Sequence, residues 1–131
     1  MDNTTRGVRL RILLVDDEPE ILRVLQRGLC QHETVAVETG EAAIRLLDQR
    51  RFDVVVSDND MGAISGLVLL SHVQWAHPEV HRVLFSGTTR LGPDDLAALL
   101  RAGIVHRVVS KPGFAELLRL CNQLAAGERA A

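Results

Sequence analysis

The chain has no tyrosine, one tryptophan and three phenylalanines, so only 3% of its 131 residues are aromatic. Its long apolar stretches are therefore aliphatic. It has two cysteines, Cys30 and Cys121, both within helical patterns. Two are too few for a disulfide framework, and both are expected as buried small hydrophobes in a reducing compartment. No apolar run approaches the roughly 20 residues needed to span a bilayer. The polar opening Met1–Gly7 lacks a signal-peptide pattern and reads as a frayed tail. A cytoplasmic protein without a membrane partner is expected. No basic cluster stands out and the net charge is -2, which argues against a direct nucleic-acid surface. No internal repeat, low-complexity segment or linker is present. What remains is 47% hydrophobic and 24% charged, a globular composition with length for one domain. These limits give a disordered tail over residues 1–7, one domain over 8–126 and a short tail over 127–131.

The stretch Val54-Val55-Val56-Ser57-Asp58 organises the rest. Three β-branched residues in a row read as a strand buried on both faces. The run then stops on a carboxylate, which is costly to bury unless something pairs with it. Leu10 to Val15 is a similar run, ending on Asp16-Asp17-Glu18, and Pro19 then opens a helix through Ile21, Leu22, Leu25 and Leu29. Thr34 to Val37 is a short second strand. Thr39-Gly40 caps a helix with Ala43, Ile44 and Leu47 on one face. After the central strand, Gly66 leads into a third helix that His77-Pro78 stops. Arg82 to Ser86 is a strand, and Pro93 opens a helix that Gly103 ends. Val105 to Val109 is the fifth strand, and Phe114 to Leu124 the last helix. Trp75 reads as packing. The five histidines (32, 72, 77, 81, 106) show no ligand spacing and read as surface or core-edge residues.

Five alternations of strand and helix with short connections make an α/β, parallel, doubly wound sheet with helices on both faces. All the strand carboxyl ends then lie on one edge, where ligands bind in open α/β sheets. That edge collects Asp16 and Asp17 from strand one, Asp58 from strand three, Ser86 from strand four and Lys111 from strand five. Three carboxylates at close quarters repel, and a hard divalent ion such as Mg²⁺ relieves them. Carboxylate, metal and lysine together suit a phosphoryl group, and a carboxylate can itself be the nucleophile. A single strand-end Asp is commonly a helix cap. Asp-Asp, Asp, Ser and Lys-Pro, each after its own strand, rarely arise as unrelated caps.

From about Val8 to Leu124 the chain resembles the receiver domain of bacterial two-component response regulators. The matching pieces are Leu14-Val15-Asp16-Asp17-Glu18-Pro19, Val56-Ser57-Asp58 with Met61 and Gly66, Leu84-Phe85-Ser86-Gly87, and Ser110-Lys111-Pro112. The resemblance implies the flavodoxin-like strand order 2-1-3-4-5, which periodicity does not supply. It implies that Asp58 is the phosphoacceptor and that Asp17, Asp16, Asp58 and the backbone carbonyl of Asp60 hold Mg²⁺. Ser86 corresponds to the switch hydroxyl and Lys111 to the lysine that pairs with the phosphoryl group. The implied partners are a histidine kinase or phosphotransfer protein, and a downstream protein or an effector domain absent from this chain. A homodimer on phosphorylation is a further expectation. The chain is expected to take part in its own phosphorylation without being an enzyme. Gly62 stands where the family usually has proline, and Val108 where it usually has an aromatic residue. The expected switch therefore runs through Ser86 and the loop Gly87 to Gly92, with little movement at Val108.

Two other readings compete. Asp58-Asn59-Asp60 has the Asp-x-Asp form of haloacid-dehalogenase-like phosphatases, but those carry it on the first strand of a longer chain. A pseudo-receiver would keep the fold as a protein-interaction module and never use phosphorylation. A cofactor-binding flavodoxin is disfavoured by acids where a phosphate loop belongs.

Overall fold

The computed structural model describes residues 9–87 and 91–127. Its elements alternate along the chain as β1 (Arg11–Val15), α1 (Pro19–Gly28), β2 (Glu33–Val37), α2 (Gly40–Gln49), β3 (Val54–Ser57), α3 (Gly66–Ala76), β4 (His81–Ser86), α4 (Pro93–Arg101), β5 (Arg107–Ser110) and α5 (Phe114–Ala125). The five strands form one sheet in the order β2-β1-β3-β4-β5, every pair parallel. This is the expected doubly wound order.

Successive strand side chains point to opposite faces, and that alternation divides the core in two. Ile12, Leu14, Val54, Val56, Val83 and Phe85 meet the leucines of α1 and α5 on one face. Leu13, Val15, Val55 and Leu84 meet α2 and α3 on the other. Burying each such side chain is worth about 1.5–3 kcal/mol. β3 is buried at every position, whereas both edge strands are largely half-exposed. α4 buries no residue fully. Local signals set the helix starts. Pro19 occupies the first turn of α1, Thr39 Oγ1 accepts from Ala42 N at 3.1 Å, and Ser65 Oγ accepts from Val68 N at 3.2 Å. Among the described residues no helix is long and apolar enough to cross a membrane.

Several expectations need correction. Trp75 is 83% exposed, not packed. α3 buries Leu69, Leu70 and Val73, and a residue two past Val73 faces away from them. Cys30 is exposed because it lies beyond the end of α1, while Cys121 is buried, which pushes its thiol up to about 12. His32 is buried: Leu10 N donates to its Nδ1 at 3.1 Å, and its Nε2 lies 3.3 Å from Asn122 Oδ1. β5 starts at Arg107 rather than Val105. The Gly103 and Ile104 carbonyls just before it accept from the buried Arg82 guanidinium, at 2.8 and 3.1 Å. Arg82 also donates to the Pro78 and Val80 carbonyls, stapling two loops at the amino-terminal edge of the sheet.

Candidate functional site

The parallel sheet delivers the chemistry to its carboxyl edge. Asp16 follows β1 and its N–H donates to Val37 O at 3.2 Å. Asp58 follows β3 and its N–H donates to Val15 O at 2.9 Å. Lys111 follows β5 and its N–H donates to Ser86 O at 2.8 Å, across a turn with a cis Lys111-Pro112 bond. The backbone ladder thus continues one residue past the strands and fixes where each side chain starts. Asp16, Asp58 and Ser86 are all buried, at 2%, 6% and 4% exposure.

Lys111 Nζ sits between the acids, 2.8 Å from Asp16 Oδ2 and 3.4 Å from Asp58 Oδ1. By distance both are ion pairs. Asp16 Oδ2 nonetheless makes no hydrogen bond of good angular geometry, so this buried oxygen keeps unused acceptor capacity. Among the described residues, Ser86 Oγ is buried with no hydrogen-bond partner. Burial raises the Asp58 pKa above its ordinary value; Lys111 opposes this and Asp16 adds to it. Burial alone would lower the Lys111 pKa, but its contacts with Asp16 and Asp58 outweigh it and hold the ammonium above its usual value.

Asp17 and Glu18 are exposed, and their carboxylates gather with that of Asp16, ligand atoms within 4.8 Å of one another. The group with that spacing includes Glu18, which the motif reading passed over, and omits Asp58 and the exposed Asp60. The ammonium of Lys111 is what links Asp16 to Asp58. The expected counter-charge is thus supplied in part by lysine. If ionised, Asp16, Asp17, Glu18 and Asp58 still carry four negative charges against one positive, and all their donors are hard oxygens. That set fits a hard divalent cation.

Supporting residues to which the sequence reading gave no positioning role hold Asp58 in place. Ser57 Oγ donates to Asp58 O at 2.7 Å. Asn59 Oδ1 accepts from Leu67 N at 3.2 Å, and Gly66 N donates to Asn59 O at 2.9 Å. Gly66 presses so closely on this loop that a Cβ would collide with the Asp58 carbonyl oxygen. A glycine just inside a Ser-capped helix, eight residues past the acid, is the signal that could have revealed this. Of the expected switch loop, residues 88–90 lie outside the described residues. Val108 is half-buried on the α4 side of β5.

The chain matches the family described as "Response regulator receiver domain" over residues 12–122. It is 40% identical over 70 residues to the two-component response regulator ARR11 of Arabidopsis thaliana, covering 50% of this chain and 13% of that protein. It is 32% identical over 111 residues to a protein-glutamate methylesterase/protein-glutamine glutaminase of Rhodospirillum centenum, covering 82% of this chain and 28% of that one. The chain therefore spans less than a third of these relatives' lengths. Among solved structures, the signal receiver domain of an HD domain-containing protein from Pseudomonas fluorescens superposes with a TM-score of 0.79 at 29% identity, covering 92% of this chain and 96% of that one. Motif, strand order, acidic edge and likeness converge: the chain belongs to the receiver-domain family of two-component response regulators.

Proposed function

We propose that this receiver accepts a phosphoryl group on Asp58 and uses it to switch a partner-binding surface. The observation that carries the reading is the pairing of a buried Asp58 with the Lys111 ammonium beside an unpartnered, buried Ser86 hydroxyl. The donor is a phosphohistidine on a histidine kinase or phosphotransfer protein. An Asp58 carboxylate oxygen attacks phosphorus, the phosphorus–nitrogen bond breaks, and the imidazole leaves with the bonding pair and takes up a proton. The product is an acyl phosphate. Lys111 pairs with a phosphoryl oxygen, and Ser86 donates its hydroxyl proton to another. Asp16, Asp17, Asp58 and the Asp60 backbone carbonyl would hold Mg²⁺, with Glu18 close by. When bound, Mg²⁺ neutralises charge on the phosphoryl oxygens. The new group brings about two negative charges and strong acceptors to the edge. Two charge-assisted hydrogen bonds at about 1.5–3 kcal/mol each approach the roughly 5.5 kcal/mol needed to invert a two-state equilibrium. The output is a cytoplasmic protein partner or effector domain, engaged directly or through a phosphorylation-dependent homodimer.

A small phosphodonor with Mg²⁺ tests the reading. One base- and hydroxylamine-labile phosphoryl group per chain is expected, lost in Asp58→Asn and when a chelator removes the Mg²⁺. Labelling that persists in Asp58→Asn would move the acceptor elsewhere. No labelling of the wild type by donor or kinase would favour the pseudo-receiver.

A further inference from the structure

At the opposite edge of the sheet, the carboxyl ends of α2 and α3 bring together Asp48, His72 and His77. We propose that these three side chains form a second cation site that takes a divalent transition-metal ion, with Zn²⁺ as the test ion. One ligand atom from each lies within 4.8 Å of the others. His77 Nε2 is 3.1 Å from Asp48 Oδ1, and the two imidazole rings stand edge to face with centroids 6.3 Å apart. Histidines five residues apart diverge on a regular helix, by about 140°. Here His77 is the residue that leaves α3, at φ -139° and ψ 63°, so its ring turns back toward His72. The sequence reading found no ligand spacing because the grouping depends on this exit and on Asp48 from another helix.

An ion pair between Asp48 and His77 accounts for only part of the geometry. His72 Nε2 is buried and makes no hydrogen bond among the described residues. A buried donor or acceptor left unpaired costs about 1–3 kcal/mol, and a bound ion would satisfy it. The surroundings favour positive charge as well. Helix carboxyl ends carry partial negative charge, yet neither α2 nor α3 has a basic residue in its last turn. The adjacent Arg50 is engaged elsewhere, 3.1 Å from Glu33 Oε2 and over the Phe52 ring at 5.6 Å. Access is open, because the Asp48 and His77 side chains are 60% and 21% exposed.

The donor set selects the ion. Two imidazoles and one carboxylate suit Zn²⁺ and its neighbours, whereas Mg²⁺ prefers oxygen. Tetrahedral ligands about 2.0–2.2 Å from Zn²⁺ stand roughly 3.4 Å apart. The Asp48–His77 contact is already that short, and closing the rest takes side-chain movements of up to about 1.4 Å. Water would fill the fourth position. The ion would fasten the end of α2 to the end of α3, next to the loop whose Pro78 and Val80 carbonyls bind Arg82. The site is independent of phosphorylation at Asp58.

Calorimetric titration of the full chain with ZnCl₂, in saturating Mg²⁺ to occupy the acidic edge, tests the proposal. One Zn²⁺ per chain is expected, with a higher melting temperature. His72→Gln, His77→Gln and Asp48→Asn should each weaken it at least about tenfold, while Cys30→Ser should leave it unchanged. Co²⁺ in place of Zn²⁺ should give visible bands of a four-coordinate site without thiolate absorption. If His72→Gln fails to fold, the two more exposed positions carry the test. Binding that survives both His77→Gln and Asp48→Asn, or no binding at 100-fold molar excess, would overturn the proposal.

Discussion

Gly66→Ala probes whether the close approach of α3 positions Asp58. The added Cβ would press on the Asp58 carbonyl oxygen and stand 2.9 Å from both Asp58 C and Asn59 Cα. Ordinary contact begins near 3.4 Å. Relief therefore takes at least about 0.5 Å of backbone movement, and more than about 1 Å for the carbonyl oxygen. The nearest atoms are backbone, held by the Asp58 N–H bond to Val15 O, so no flexible side chain can yield. Overpacking of this kind costs about 1–3 kcal/mol, against which alanine recovers at most about 1 kcal/mol of helix propensity. The melting temperature should fall by about 3–8 °C. The carboxylate rides on the displaced backbone, and a misplacement of about 1 Å can cost roughly 100-fold in rate. The assay is thermal melting by circular dichroism together with the rate of labelling by a small phosphodonor at fixed Mg²⁺. Gly28→Ala is the control: its Cβ meets only the flexible Leu118 side chain, at 3.0 Å, far from the site. A Gly66→Ala protein that melts and labels like the wild type would refute the reasoning. One that melts low but labels normally would show that Gly66 supports the fold and not the site.

Asp58→Asn should raise the melting temperature at pH 7. Burial places the folded pKa of this acid above its ordinary 3.8, so ionisation removes stability as pH rises through the folded value; the gain should vanish in acid, where Asp58 is protonated anyway. Lys111→Met leaves Asp16 and Asp58 buried without their ammonium and should cost on the order of 3 kcal/mol at pH 7. Urea titrations at pH 7 and pH 4 check it, since the loss should shrink in acid as a carboxyl takes up a proton. His106 is held below its ordinary 6.5, first by burial and then by the Arg82 charge, while its Nδ1 accepts from Arg82 N at 2.9 Å. Its contribution is complete above pH 6.5 and is lost as pH falls through the folded value, because the unfolded chain binds the proton first. His106→Gln should flatten the fall in urea midpoint below pH 6.5, and an unchanged slope would assign the acid sensitivity to other groups.

The parts of the fold that depend on nearest neighbours were legible. Val54-Val55-Val56 admits little besides a buried strand, and Pro19, Thr39 and Gly103 punctuate helices by mechanisms local to their own residues. The edge chemistry was legible for the same reason, because each acid or lysine follows its own strand and parallel pairing puts all strand ends together. Legibility failed where direction or distance decided the outcome. α3 is apolar almost all round, so its periodicity could not say that Val68 and Trp75 face solvent, at 57% and 83% exposure. The start of β5 depends on Arg82, a residue of another strand. Glu18 joins Asp16 and Asp17 only because the chain turns at the α1 entry, where Glu18 N donates to Asp16 Oδ1 at 2.9 Å.

Buried polar groups in this chain fall into two kinds, and the difference bears on function. Arg82, His32 and Ser57 are buried and bonded: the guanidinium alone reaches four backbone carbonyls. Such groups specify loop geometry and leave nothing over for a ligand. Among the described residues, Ser86 Oγ and His72 Nε2 are buried with no hydrogen-bond partner. Folding alone gives no reason to retain them, because a small apolar residue would remove the unpaired atom. The first lies at the carboxyl edge, where an incoming phosphoryl group would use it. The second lies at the opposite edge with Asp48 and His77. The unused bonding capacity that suits the first to a ligand suits the second equally. This is why the far edge is best treated as a site in its own right, with occupancy measured separately from phosphorylation.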